Sequence, residues 1–292
     1  MKKLLAMTLG LMMGAMALTG CSGSGAQAPA AQETDAAGSE STAEQAPEAQ
    51  ETADAADSAA FDLSSISTVE EGKLIFGTNA AFPPFEYVGD DGQPDGFDMA
   101  LIKAVGDKLG VQVEVQDMEF ASLVTSIGSK IDGAIAGMTV TDERKAMVDF
   151  SDSYYDAVQY VLLPADSELK SADDLKGKNI GVQLGTTGNF IADEIEGASV
   201  NAYDKAVDAV NDLVNGRNDL VIVDKNPAMV FESNFEGKVV AVDGAQFGFE
   251  PEQYAIALPK DSQLTAAVNS ALEALKADGT YDALVKQYIE GE

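Results

Sequence analysis

Gly137, Thr139 and Arg144 fall within eight residues of one another in GMTVTDERKAMVDFS, Gly137–Ser151, directly after the apolar run IDGAIA, Ile131–Ala136. Arginine carries a planar fork of donors that suits an anion with two oxygens. A glycine and a hydroxyl beside it, at the end of a buried strand, raise the question of what that fork is for. The same letters also spell a plainer element, in which a strand leaves the core and a capped turn leads into a surface helix bearing Arg144. Catalytic constellations are missing. The chain has no histidine and a single cysteine, and it contains no HExxH, Walker loop or nucleophile elbow. LGTTG, Leu184–Gly188, is too short for a phosphate loop and lacks its lysine. A carboxylate pair could in principle run a hydrolysis, which keeps an enzyme as a minor alternative. Clustered soft ligands are absent, so neither a metal nor a cofactor is expected.

The elements that must position these residues belong to a chain of 292 residues with a hydrophobic fraction of 46%, enough for two moderate cores. Its 49 acidic and 18 basic residues give a formal charge of -31. A nucleic-acid binder must neutralise phosphates with Lys and Arg, and no basic patch offsets this charge. Lys2 and Lys3 precede the apolar run Leu4 to Leu18, and LTGC ends it at Cys21. That order reads as an export signal, residues 1–21, and LTGC resembles a bacterial lipoprotein signal, which implies Cys21 as the lipid attachment site. Cys21 is the only cysteine, so a disulfide within the chain is excluded. Residues 22–60 are Ala, Glu, Ser, Gln, Thr, Pro and Gly in the main, with eight acidic groups and no basic one. Such a segment has no apolar face to bury and is expected to be a disordered acidic tether.

From Lys73 the pattern alternates strand and helix. KLIFGT reads as a strand, Met99, Leu101, Ile102, Val105 and Leu109 recur at helical spacing, VQVEV (Val111–Val115) alternates, and Phe120, Leu123, Val124 and Ile127 return to helix. A second set follows: strand NIGVQ, a turn at LGTTG, a helix from about Asn189, a helix bearing Ala206 to Val214, and strand DLVIVD. Parallel sheets covered by helices are expected, with binding residues in loops beyond the carboxyl ends of the strands. YYDAVQYVLLP (Tyr154–Pro164) and QYAIALP (Gln253–Pro259) read as two crossings between lobes, and so as a hinge. Two final helices, about Gln263–Ala277 and Tyr281–Ile289, carry apolar stripes that belong to a core.

GTNAAFPPFEY, GQPDGFDMALIKAVGDKLG, GMTVTDERKAMVDFSDSYY, GVQLGTTG and VIVDKNP occur in this order from Lys73 onward. Together they resemble the extracellular solute-binding proteins of polar amino-acid ABC importers, solute-binding protein family 3. The resemblance implies an α/β, two-lobed periplasmic-binding-protein-like fold of type II, with a central cleft and a two-strand hinge. Lobe 1 would comprise residues 61–160 and 254–292, and lobe 2 residues 161–253. It implies a monomer that takes a free amino acid outside the cell, anchored to the membrane through lipidated Cys21, and passes it to a permease. A sensor lipoprotein using the same cleft without transport is the alternative, and an enzyme on the same fold a more distant one.

A free amino acid presents a carboxylate and an ammonium at fixed separation. By the resemblance, Arg144 clamps the carboxylate, with Thr139 beside it and Gly137 leaving its carbonyl approachable for the ammonium. Thr186 and Thr187 match positions whose backbone N–H groups and hydroxyl bind the same carboxylate; their plainer role is a helix cap. Asp224 matches the carboxylate that pairs with the ammonium, and would otherwise be a turn residue. Phe82 and Phe120 match rings that cover the ligand side chain, whereas Phe85 and Phe97 are expected to pack the first lobe. Tyr154 and Tyr155 are expected to be structural or hinge residues, with the cleft rim as the alternative for Tyr155. Asn79 stands where glutamine-binding and basic-amino-acid relatives often have Asp, and Gln183 where the glutamine-binding branch has Lys. A buried cationic side chain needs a compensating carboxylate, so a neutral polar ligand is the expectation, unless Glu119 or Asp156 reaches the pocket.

Overall fold

The computed structural model describes residues 62–291. The expected leader, Cys21 and the tether lie outside them.

Two five-stranded sheets organise the chain, one in each lobe. The first runs in the order Gln112–Asp117, Lys73–Thr78, Gly133–Ala134, Ala257–Leu258, Asp149–Phe150, and the second Ser199–Tyr203, Asn179–Gln183, Leu220–Asp224, Gln159–Pro164, Val239–Asp243. Alternation explains why these strands sit at the centre. In Leu220–Asp224, Val221 and Val223 face one cluster while Leu220 and Ile222 face another, so both sides of the strand are buried. The helix Phe97–Leu109 and the long helix Gln263–Ala277 cover the first sheet with the stripes that helical spacing picked out, among them Leu101, Val105, Leu264, Val268 and Leu272.

The sheets are mixed rather than parallel, and the crossings are the reason. Lys73–Thr78 runs parallel to both its neighbours, as does Asn179–Gln183, so their carboxyl ends point to the same edge. The outgoing crossing starts at that edge instead of ending there. Gln159–Pro164 is therefore antiparallel to Leu220–Asp224, and the register sets Gln159 beside Asp224. Tyr155–Ala157 and the return segment Glu252–Tyr254 pair antiparallel as the two strands between the lobes.

Several elements depart from expectation. The helix expected at Phe120–Ile127 is a 3-10 turn at Phe120–Ser122 and one α turn at Leu123–Ser126. It stops because Ile127 is extended and pairs with Ile131 across a tight turn. The helix carrying Arg144 is only Asp142–Lys145, capped by Thr141, and Arg144 is buried in it rather than on the surface. The final helix changes at Val285 into a π-helix through Glu290. Strands Ser199–Tyr203 and Val239–Asp243 and the helix Lys225–Asn234 were not expected.

Candidate ligand cleft between the lobes

Arg144 occupies the meeting place of the lobes. Its Nη1 donates to the Thr139 carbonyl, and its Nη2 donates at 2.9 Å to the carbonyl of Gly185 on the second lobe. The guanidinium lies 5.4 Å from the centroid of Phe120 and 5.9 Å from that of Phe190, faces that favour a desolvated cation. Burial lowers its pKa to about 10, while the charges of Glu252 and Asp224 pull it back up. It stays charged at neutral pH. Gly185 can approach this closely because it has no side chain: its φ is +77°, and a Cβ there would stand 3.2 Å from Ala121 of the first lobe.

Gly137 has a similar constraint. Its φ is +52° and a Cβ would meet the Phe82 ring at 3.0 Å, so the backbone sits against the aromatic wall. Its N–H donates to Asp98 Oδ2 at 2.8 Å, and the Tyr154 hydroxyl donates to the same oxygen at 2.8 Å. Burial raises Asp98 to about 6, and burial and then Asp98 raise the neighbouring Glu86 well above the carboxylate range. Burial thus works against charge on both carboxyls of this pair, and more strongly on Glu86. The pair anchors the glycine from beneath.

On the second lobe Asp224 ends its strand in a buried position, and its Oδ1 accepts the Tyr254 hydroxyl at 2.6 Å. Burial first, and the charge of Glu252 second, push Asp224 up to about 7. Asn79 and Gln183 meet across the cleft, with Gln183 Nε2 donating to Asn79 Oδ1 at 2.8 Å. Each amide nitrogen is also committed to a backbone carbonyl, Asn79 to Met118 at 2.8 Å and Gln183 to Asp204 at 3.0 Å. Carbonyl oxygens only accept, so this fixes which end of each amide is the nitrogen. The Asn79 oxygen is the acceptor for Gln183, and the Gln183 oxygen is left as an acceptor.

Ten candidate residues came from the motifs, and nine gather at this cleft with side chain or backbone available: Asn79, Phe82, Phe120, Gly137, Thr139, Arg144, Gln183, Thr187 and Asp224. Thr186 behaves differently. Its hydroxyl donates to the Gln183 carbonyl at 2.8 Å and accepts the Asn189 N–H, so it caps the helix Thr187–Asp193. Phe85 and Phe97 are fully buried packing residues, as expected. Glu119 and Asp156 are exposed, and Asp156 accepts from Gln253 on the outer face of the crossing pair. The acid that does reach the cleft is Glu252. Its Oε2 takes the hydroxyls of Thr139 at 2.7 Å and Thr187 at 2.8 Å and the Gln159 amide at 3.2 Å. Sequence reasoning missed Glu252, Gln159 and Phe190. A signal existed for the first, since Glu252 and Tyr254 are two apart on one strand and must share a face.

The sequence profile of the bacterial extracellular solute-binding proteins, family 3, matches residues 74–291. This chain belongs to that family. The arginine-binding extracellular protein ArtP of Bacillus subtilis (strain 168) is 39% identical to it over 236 residues, covering 78% of this chain and 91% of ArtP. The L-cystine-binding protein TcyJ of Escherichia coli (strain K12) is 34% identical, over 75% of this chain and 84% of TcyJ. Among solved structures, the arginine-, lysine-, histidine-binding protein ArtJ from Geobacillus stearothermophilus superposes with a TM-score of 0.70 at 38% identity, covering 75% of this chain and 95% of ArtJ. The family member described here thus has the two-lobed α/β fold of an extracellular binding protein.

Proposed function

We propose that the cleft takes a free cationic L-amino acid, L-arginine first, and that the two lobes close around it for delivery to an ABC transporter permease. The observation that carries this reading is the burial, in one cleft, of a guanidinium at Arg144 and a carboxylate at Asp224 on opposite lobes. A zwitterion is the ligand that satisfies both. Its carboxylate would meet Arg144 and the backbone N–H groups at Thr139 and Thr187, and its ammonium Asp224 and the Gly137 carbonyl; the Thr186 N–H is turned to the Gln183 carbonyl. The side chain would extend toward Asn79, Gln183, Phe82 and Phe120. The amide oxygens of Gln183 and of Asn79, whose second lone pair is left beside the Gln183 bond, can only accept, and so suit a donor-rich guanidinium better than an acceptor such as a carboxylate. Asp224 and Glu252 against one Arg144 also leave an excess of negative charge for a cation to neutralise. This supports a cationic side chain over the neutral one expected from Asn79 and Gln183 alone, and the arginine-binding relatives weigh the same way. Carriage rather than turnover is the reading.

The lobes we assign are residues 61–160 with 254–292, and 161–253, in a monomer. A lipid on Cys21 and the acidic stretch 22–60 would hold the folded part outside the cell membrane. Titration calorimetry of the purified protein, cleared of carried ligand by unfolding and refolding, against the twenty amino acids tests the assignment. L-arginine should bind most tightly; absence of binding by any free amino acid would refute it.

A further inference from the structure

Glu252 bridges three segments with one oxygen. Thr139 comes from the first lobe, Thr187 from the second, and Gln159 from the crossing strand, and all three donate to Oε2. A carboxylate has no proton to give, so both hydroxyls must be the donors. A threonine hydroxyl owns one proton. Once that proton is committed to Glu252, the oxygen can only accept. Gln159 Nε2 lies 3.2 Å from Thr187 Oγ1, which agrees with an accepting oxygen there. The two hydroxyls that the motifs bring to the cleft are therefore acceptors, useful to an ammonium and useless to a carboxylate.

We infer that Glu252 is a positioning and specificity-determining residue of the ligand cleft, which fixes the Thr139 and Thr187 hydroxyls as acceptors and, with Asp224, builds a receptor for a primary ammonium. The inference rests on the reading of the cleft as an amino-acid site and deepens it. It reassigns one group: the Thr187 hydroxyl serves the ammonium end, leaving its backbone N–H for the carboxylate. It also ties recognition to closure. The two hydroxyls belong to different lobes, so the receptor is complete only when both reach the same Glu252 oxygen, on the strand between the lobes. A ligand without a free α-amino group gains nothing from that arrangement.

The test is a pair of probes on the full-length protein: L-arginine, and 5-guanidinopentanoate, which keeps the guanidinium and carboxylate but lacks the α-amino group. Binding of the second is read by displacement. Glu252→Gln keeps the shape, but its amide can donate to the hydroxyls and free them to turn. It should weaken L-arginine about tenfold or more while changing 5-guanidinopentanoate less than about twofold. Thr139→Val removes one of the acceptors without touching Glu252, and the same ammonium-selective loss is expected. Equal weakening of both probes by Glu252→Gln and Thr139→Val, or no change for L-arginine, would overturn the inference and leave Glu252 as scaffold. Arg144→Ala separates the two levels, because it should weaken both probes alike. If the wild type binds neither probe, or Arg144→Ala is silent, the reading of the cleft itself fails and this inference falls with it.

Discussion

Asp224 should make the empty protein less stable at neutral and alkaline pH, and replacing it with asparagine should recover that stability while destroying the site. The carboxyl is buried at the cleft edge, and its pKa rises from the ordinary 3.8 to about 7. A carboxyl whose folded pKa lies above its unfolded value binds its proton more tightly in the folded state. Its contribution is therefore fully present below pH 3.8 and is lost as pH rises from there through about 7. At about 1.4 kcal/mol per pH unit, the gap amounts to about 4 kcal/mol at pH 8, an upper value because water and relaxation soften buried charges. An asparagine in its place would keep an oxygen for the Tyr254 hydroxyl, now at 2.6 Å from Asp224 Oδ1, without the charge. Ligand-free Asp224→Asn should accordingly be more stable than wild type by about 2 to 4 kcal/mol at pH 8, with the advantage shrinking steadily toward pH 4. Urea unfolding of both proteins across that range measures it. Asp98 is present in both proteins, whereas Glu86, raised by burial first and in part by the Asp224 charge, is relieved when that charge is removed and adds to the difference in the same direction. Adding L-arginine should stabilise only the wild type. Parallel pH curves, or a wild type more stable at pH 8, would refute the argument that Asp224 is held charged against its environment.

Arg144→Ala should weaken every accepted ligand alike by about 2 to 5 kcal/mol, because it leaves a desolvated carboxylate without its partner; calorimetry with a panel of ligands reads the uniformity. Asn79→Asp should widen the preference for L-arginine over its neutral isostere L-citrulline in competition titrations, since it adds a counter-charge only where side chains differ. The same change sets an oxygen where Asn79 Nδ2 now donates to the Met118 carbonyl at 2.8 Å, so a stability loss of about 1 to 3 kcal/mol should accompany it in thermal or urea unfolding. Cys21→Ala should move the protein from the membrane fraction to the medium, or hold it as unprocessed precursor, with ligand affinity unchanged; equal soluble amounts of both forms would end the lipid assignment.

Much of the fold was legible because its elements obey single periods. Lys73–Thr78, Asn179–Gln183, Ala206–Val214 and Gln263–Ala277 fall where alternation or helical spacing put them. The antiparallel crossings were harder, since direction is not written in a strand's own letters but follows from which edge the chain starts at. The candidate site was legible through the family motifs rather than through single residues: Arg144 and Asp224, whose own letters also fit a surface helix and a turn, both lie buried at the cleft. It was opaque where the environment decides. Thr186 and Thr187 are adjacent and alike, yet one caps a helix and the other faces Glu252, a difference set by the side each takes at the turn. Glu252 itself looks like an ordinary surface acid until its strand is seen to run between the lobes with Tyr254 on the same face.

A crystal structure of the protein with L-arginine tests the central claim most directly. The account predicts the α-carboxylate on the Arg144 fork, the α-ammonium within about 3 Å of Asp224 and the Thr139 hydroxyl, and the guanidinium between Phe82 and Phe120 against the oxygens of Asn79 and Gln183. A ligand lying with its ends reversed, or bound away from Arg144 and Asp224, would contradict it.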